Sequence, residues 1–416
     1  MKTKTLLQGT LVLTLSSLLL VQGALAQGGS RAGNDDDDAA PPANQIDQRT
    51  GEIMQEAIEL INTDKVAEAR AKLGELKLDR LSPFERSRVE QMFFSLDIAE
   101  DNYAGARTHM EAAIASGGYN DLEISQGRYQ LAQLWMQEEK WKEGAAALEE
   151  WLKTAVNPNG GVFYLLAAAY YNMDDFDKAL PNARKAVDSS ETPLEPWLQM
   201  LSALLMQKED YKGAIPVIER QVNMWPTKKQ YWTQLASVHA ALEDYKNALI
   251  VTQMANHAGL LTEGPEFQRM AELMQAEGMP YSAGVVLTKA IDDKKIEPDL
   301  KTWERLADYW IGSQEYRKAL PILERAGQLA DNGNNMFRLG EVNAQLSEWE
   351  ASEAAIKKAL DKGGLRDQAY AQFMLGYALY NQEKYRDARE WFDRASAAPG
   401  QRNNSRAYMQ IIDSKL

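Results

Sequence analysis

Cysteine is absent from all 416 residues. That gap excludes disulfides, thiolate-ligated zinc, cysteine nucleophiles and an N-terminal lipoprotein anchor. Histidine is nearly as scarce, with His109, His239 and His257 in three separate segments; His239 falls at a core-type helical position and reads as a packed or capping residue. With no HExxH, no P-loop and no GxSxG, no metal site, cofactor or catalytic residue is expected, and the chain does not read as an enzyme. Glu138-Glu139 and Glu149-Glu150 read as solvated helix faces, because a catalytic carboxylate pair needs burial to split its two pKa values. A basic excess is also missing. The net charge is −14, which repels phosphates and excludes nucleic acid as a partner; the acidic surface keeps the chain soluble and suits a basic partner. Beyond the first two dozen residues no segment approaches the roughly 20 apolar residues that span a bilayer, so no membrane insertion is expected after leader cleavage.

What is present begins with a leader. Lys2 and Lys4 precede an apolar stretch from Leu6 to Val21, and Ala24-Leu25-Ala26 supplies a small-x-small cleavage pattern. Residues 1–26 therefore read as a signal peptide cleaved after Ala26, and the compact leader points to the periplasm of a bacterial envelope. Gln8, Thr10, Thr14, Ser16 and Ser17 interrupt the apolar run, which argues against a permanent anchor. Residues 27–47, rich in Gly, Ser and Pro and carrying Asp35 to Asp38, bury too little to order themselves and read as an acidic linker. The Asp run lacks the glycine turn and distal Glu of a calcium loop.

The remainder is periodic. An apolar helical stretch with a small residue at its centre, a polar turn and a large residue recur ten times. That large residue is Val66, Tyr103, Trp141, Phe176, Tyr211, Tyr245, Pro280, Tyr316, Trp349 and Tyr385, at intervals of 33 to 38 residues. Such a period is the signature of stacked supersecondary units. Three positions after each of these anchors the residue is always Ala, Gly or Ser, and nine positions before it is small in all but Phe94. Two helices of each unit must therefore cross too closely for larger side chains. Pro181, Pro216 and Pro321, five positions after their anchors, are expected in the first turn of a second helix that begins near the anchor.

This layout resembles the tetratricopeptide repeat. Residues 372–395 carry Leu375-Gly376, Tyr385, Ala388, Phe392 and Ala395 in the family's places, and the likeness covers about residues 50–398. Glu56 and Pro280 depart from the pattern. The resemblance implies an all-α, right-handed superhelical solenoid of about ten hairpins over residues 48–398. Residues 399–416, with Ala407, Tyr408, Ile411 and Ile412 on one face, are expected to form a C-terminal capping helix.

It also implies a protein-binding groove lined by the first helix of each hairpin, at positions five, eight, twelve and fifteen before the anchor. Candidate groove residues are Tyr129, Gln133, Met136, Tyr164, Tyr171 and Asn172 in an N-terminal cluster. A C-terminal cluster holds Phe337, Tyr370, Phe373, Tyr377, Tyr380 and Asn381. The basic clamp with which the family holds C-terminal carboxylates is missing, so an extended or Pro- and Lys-rich segment of an envelope protein is the expected ligand. The whole is similar to exported members associated with TonB–ExbB–ExbD energy transduction. An outer-membrane or cell-wall assembly scaffold, or a targeting accessory of an envelope hydrolase, is the alternative.

Overall fold

The structure is a computed structural model that describes residues 45–416. The expected signal peptide, and the linker as far as residue 44, lie outside the described residues. Among the described residues there are 21 α-helices and no strand. They fall into two compact units that divide after Asp210.

The first unit holds α1 (Gln48–Asn62), α2 (Val66–Leu73), α3 (Pro83–Ala99), α4 (Tyr103–Ala115), α5 (Asp121–Gln137), α6 (Trp141–Leu152), α7 (Gly160–Asn172), α8 (Phe176–Asp188) and α9 (Glu195–Gln207). The second opens with α10 (Tyr211–Met224) and continues through α11 (Lys229–Ala241), α12 (Tyr245–His257), α13 (Gly264–Ala276), α14 (Pro280–Asp292), α15 (Leu300–Gly312) and α16 (Tyr316–Leu329). It closes with α17 (Asn334–Gln345), α18 (Trp349–Lys362), α19 (Gln368–Asn381), α20 (Tyr385–Ser396) and α21 (Pro399–Asp413). The architecture is an all-α solenoid of helical hairpins, and each anchor is the first residue of an even-numbered helix.

One backbone device makes the turn within every hairpin. The residue two before the anchor is left-handed in all ten copies, from Asp64 at φ 60° to Glu383 at φ 63°. The next residue then donates its N–H back into the closing helix, as in Asp175 N to Tyr170 O at 2.9 Å and Glu315 N to Trp310 O at 2.8 Å. This is the Schellman closure of a helix C-terminus. Glycine suits such a position best, yet only Gly278 is one; the other nine copies accept left-handed strain at Asp, Glu, Gln or Ser.

The small residues lie where the helices cross. Ala69, Ala106, Ala179, Ala248, Ala283, Ala319 and Ala388 are completely buried, as are Ala57, Ala132, Ala167, Ala271 and Ala307 on the first helices. At Gly340 a Cβ would stand 2.4 Å from Ile356 Cγ1, so even a methyl group does not fit between α17 and α18. Pro280 departs from the aromatic pattern without harm, because at the first helical position its missing N–H has no partner to lose.

One sequence expectation needs correction. Pro181, Pro216 and Pro321 are the sixth residues of α8, α10 and α16, in the second turn, where each removes a helical hydrogen bond. All three are exposed, as are Asp177, Lys212 and Arg317 four residues earlier, so the freed carbonyls belong to residues on the solvent side of each helix. Gly160 and Gly161 open α7, and a Cβ on Gly160 would lie 2.5 Å from the Trp197 ring.

Candidate functional site

On α5, Tyr129 is half-buried and tilts against Trp151 of α6 with centroids 5.1 Å apart. Trp151 is itself held by Nε1 donating to Ser125 O at 2.8 Å. On α7, Tyr164 repeats the register of Tyr129, twelve residues before its anchor, and Tyr171, five before it, meets the anchor Phe176 edge-on at 5.6 Å. Burial pushes the hydroxyls of Tyr129 and Tyr164 above the usual tyrosine range, so both stay neutral donors at neutral pH. Gln133 is half-buried on the same face as Tyr129, one helical turn on. Asn172 is exposed, with its Nδ2 donating to Ala168 O at 2.8 Å, which leaves its carbonyl oxygen as the outward group.

Met136 does not join this face. It is 3% exposed, and its sulfur fills the space left by Gly144, where a Cβ would lie 2.8 Å away. The expected groove residue is therefore a core residue: a long flexible side chain packs into a missing methyl group instead of standing in solvent.

The C-terminal cluster has a different fate. Phe337 and Tyr370 pair edge-on at 5.6 Å, and Tyr377 meets Trp349 at 5.6 Å. From α21, Tyr408 reaches Phe373 at 5.9 Å, Tyr377 at 5.7 Å and Tyr380 at 5.3 Å, and it stacks on buried Phe392 at 5.0 Å. The final helix thus uses Phe373, Tyr377 and Tyr380 as its seat, and they are not an open groove wall. Asn381 turns its Nδ2 to Tyr377 O at 2.8 Å and secures the same helix end.

Sequence reasoning missed a charged ladder on this face. Eight residues before three successive anchors stand Glu272, Asp308 and Glu341. Glu272 pairs with Arg305 and Asp308 with Arg338, each reaching the next first helix, while Glu341 bonds the Tyr370 hydroxyl. Burial raises the Glu341 carboxyl above its ordinary range despite that bond and the nearby Arg338. The register was available in the sequence, but the partners lie one repeat away at a different offset. His109 also went unassigned. Its Nδ1 sits 2.7 Å from buried Glu90, and its ring stacks on Phe93 at 4.9 Å. His239 is packed as expected, 3.0 Å from Asp244. Among the described residues no group of three or more His, Cys, Asp or Glu could hold a metal ion, and no helix is long and apolar enough to cross a membrane.

With this geometry in place, comparison with known proteins gives the repeat its name. Residues 337–402 match the tetratricopeptide repeat model, and residues 77–262 match that of the ChAPs, the Chs5p-Arf1p-binding proteins. Over residues 337–402 the hairpins therefore match the tetratricopeptide repeat. No curated protein matches the sequence. Among solved structures, the chain is similar to MamA from Desulfovibrio magneticus RS-1, at 18% identity over 42% of this chain and 97% of that one, with a TM-score of 0.33. It is also similar to the C-terminal part of a TPR repeat-containing protein from Cytophaga hutchinsonii, at 12% identity over 68% and 99% with a TM-score of 0.35. A third is YrrB, described as a TPR protein with an unusual peptide-binding site, at 18% identity over 46% and 97% with a TM-score of 0.34.

Proposed function

We propose that this chain is an exported, non-catalytic scaffold that holds an extended segment of another protein against the first helices of its N-terminal unit. The observation that carries the reading is the recurrence of Tyr129, Tyr164 and Tyr171 on α5 and α7, partly exposed at the family's groove positions, with Gln133 and Asn172 beside them. Rigid aromatic rings with amide neighbours suit an extended backbone or a proline-rich segment better than a terminal carboxylate, which needs cations. The leader supports a periplasmic location, and the acid excess supports a Pro- and Lys-rich envelope partner of the TonB type. The C-terminal aromatics contribute less, because α21 occupies them.

Two experiments test this. Cell fractionation of the tagged full chain should place it in the periplasm, shortened by its leader; retention in the cytoplasm at full length contradicts export. A labelled Pro- and Lys-rich peptide should bind the mature chain and lose at least tenfold in affinity in Tyr129→Ala/Tyr164→Ala/Tyr171→Ala. Unchanged binding in the triple variant removes these rings from the site.

A further inference from the structure

A second face of the C-terminal unit carries a pattern that the groove reading does not use. Five residues after the start of α10, α12, α14 and α16 stand Pro216, Ile250, Val285 and Pro321, all exposed, with Ile250 and Val285 at 43% each. In the N-terminal unit the same position holds Ala71, Thr108, Ala146 and Pro181. One helical turn before the apolar row are Lys212, Lys246 and Arg317; one turn after it are Arg220, Lys289 and Arg325. Residues four apart share a helix face, so each helix presents its three positions as one stripe. The two flanking positions without a cation hold Tyr281 and Met254, also exposed. No carboxylate enters these rows on the four helices, and the pattern ends where Glu350 of α18 and Glu390 of α20 take the same registers. The four helices carry seven Lys and Arg against three Asp and Glu, in a chain with 60 acids and 46 bases.

Single exposed apolar residues are ordinary on a surface, but a repeat array sets one register position in line from copy to copy. We propose that this ridge docks an acidic amphipathic helix of a partner protein. The helix would lay its apolar stripe along Pro216, Ile250, Val285 and Pro321, with Asp and Glu on its flanks meeting the two rows of cations. Lys212, Lys246 and Arg325 make no ion pair among the described residues, while Lys289 and Arg317 bond Asp293 and Glu348 at 2.9 and 3.0 Å. A narrow ligand fits better than a flat anionic membrane. Asp244, Glu277, Glu315 and Glu348 in the turns stand beside the leading cation row and would repel a lipid headgroup plane. A helix about 10 Å across covers only the three rows.

The test is fluorescence anisotropy of the mature chain with a labelled synthetic helix of about three heptads, Leu at the a and d positions and Glu at e and g. Binding should weaken roughly tenfold between about 50 and 200 mM salt. Ile250→Ser/Val285→Ser and Lys246→Glu/Arg325→Glu should each lose at least tenfold in affinity, with unchanged circular dichroism melts because all four residues are exposed. Tyr129→Ala/Tyr164→Ala should bind this helix like wild type, which separates the ridge from the groove. The proposal is overturned if the acidic helix does not bind, if a Lys-for-Glu version binds equally, if only the tyrosine variant loses binding, or if the chain adsorbs to phosphatidylglycerol vesicles and ignores the peptide.

Discussion

At the scale of single residues, packing decides what a side chain is for. Met136 occupies a groove register yet fills the notch at Gly144. Met136→Ala should therefore cost about 2–4 kcal/mol of stability in urea denaturation and leave ligand affinity unchanged; lost affinity at full stability would return it to the groove. Gly340→Ala places a methyl group 2.4 Å from Ile356 Cγ1 and should cost about 1–3 kcal/mol, partly recovered in Gly340→Ala/Ile356→Val. Glu353 shows the electrostatic counterpart. Burial favours its protonated form, but Lys357 and Lys384, 2.6 and 2.8 Å away, hold the carboxyl down at about 2. A folded pKa below the unfolded value of about 4.3 stabilises the fold above that pH. The contribution is then lost as pH falls from about 4.3 toward 2. Glu353→Gln should cost about 1 kcal/mol at pH 7 and nothing near pH 2, so an equal cost at both pH values would refute the pairing.

At the scale of the element, the turn is the repeated unit of design. Ten left-handed residues close ten helices, and nine of them are not glycine. A left-handed L-residue costs roughly 1–2 kcal/mol, of which glycine's extra unfolded-state entropy offsets about half. Glu243→Gly should accordingly raise stability by about 0.5–1 kcal/mol, and Gly278→Ala should lower it by about 1 kcal/mol. Thermal melts that move both variants in the same direction would contradict the strain account. The polar residues at these turns are all exposed, and Asp101 also accepts the Tyr103 hydroxyl at 3.0 Å.

At the scale of the whole molecule, a repeat array must finish its exposed end. Here α21 does so by setting Tyr408 among Phe373, Tyr377, Tyr380 and Phe392. Removing residues 399–416 should fray the last hairpin, seen as increased binding of a hydrophobic dye and faster amide exchange in α19 and α20. Tyr408→Ala should reproduce part of this at a cost of about 2 kcal/mol. If neither change affects α19 and α20, the aromatic cluster is not what holds the end.

The sequence alone determined the helices, their pairing and the neighbourhood of the anchor in which every second helix begins. Each of those rests on a local steric demand met ten times over, a small residue at every crossing and a large one at every turn exit. It also placed a final helix, because a terminal stacking face cannot be left wet. It misread the three helical prolines, since whether a freed carbonyl finds water depends on which side of the helix faces out. It could not separate open aromatics from covered ones. Tyr164 and Phe373 occupy the same first-helix register, twelve residues before their anchors, and only the landing of α21 makes the second a packing residue. The ladder from Glu272 to Tyr370 and the basic ridge around Ile250 were equally invisible, because each is a relation between neighbouring repeats. Periodicity reports what every repeat shares, whereas partners and open surface depend on what each copy finds beside it.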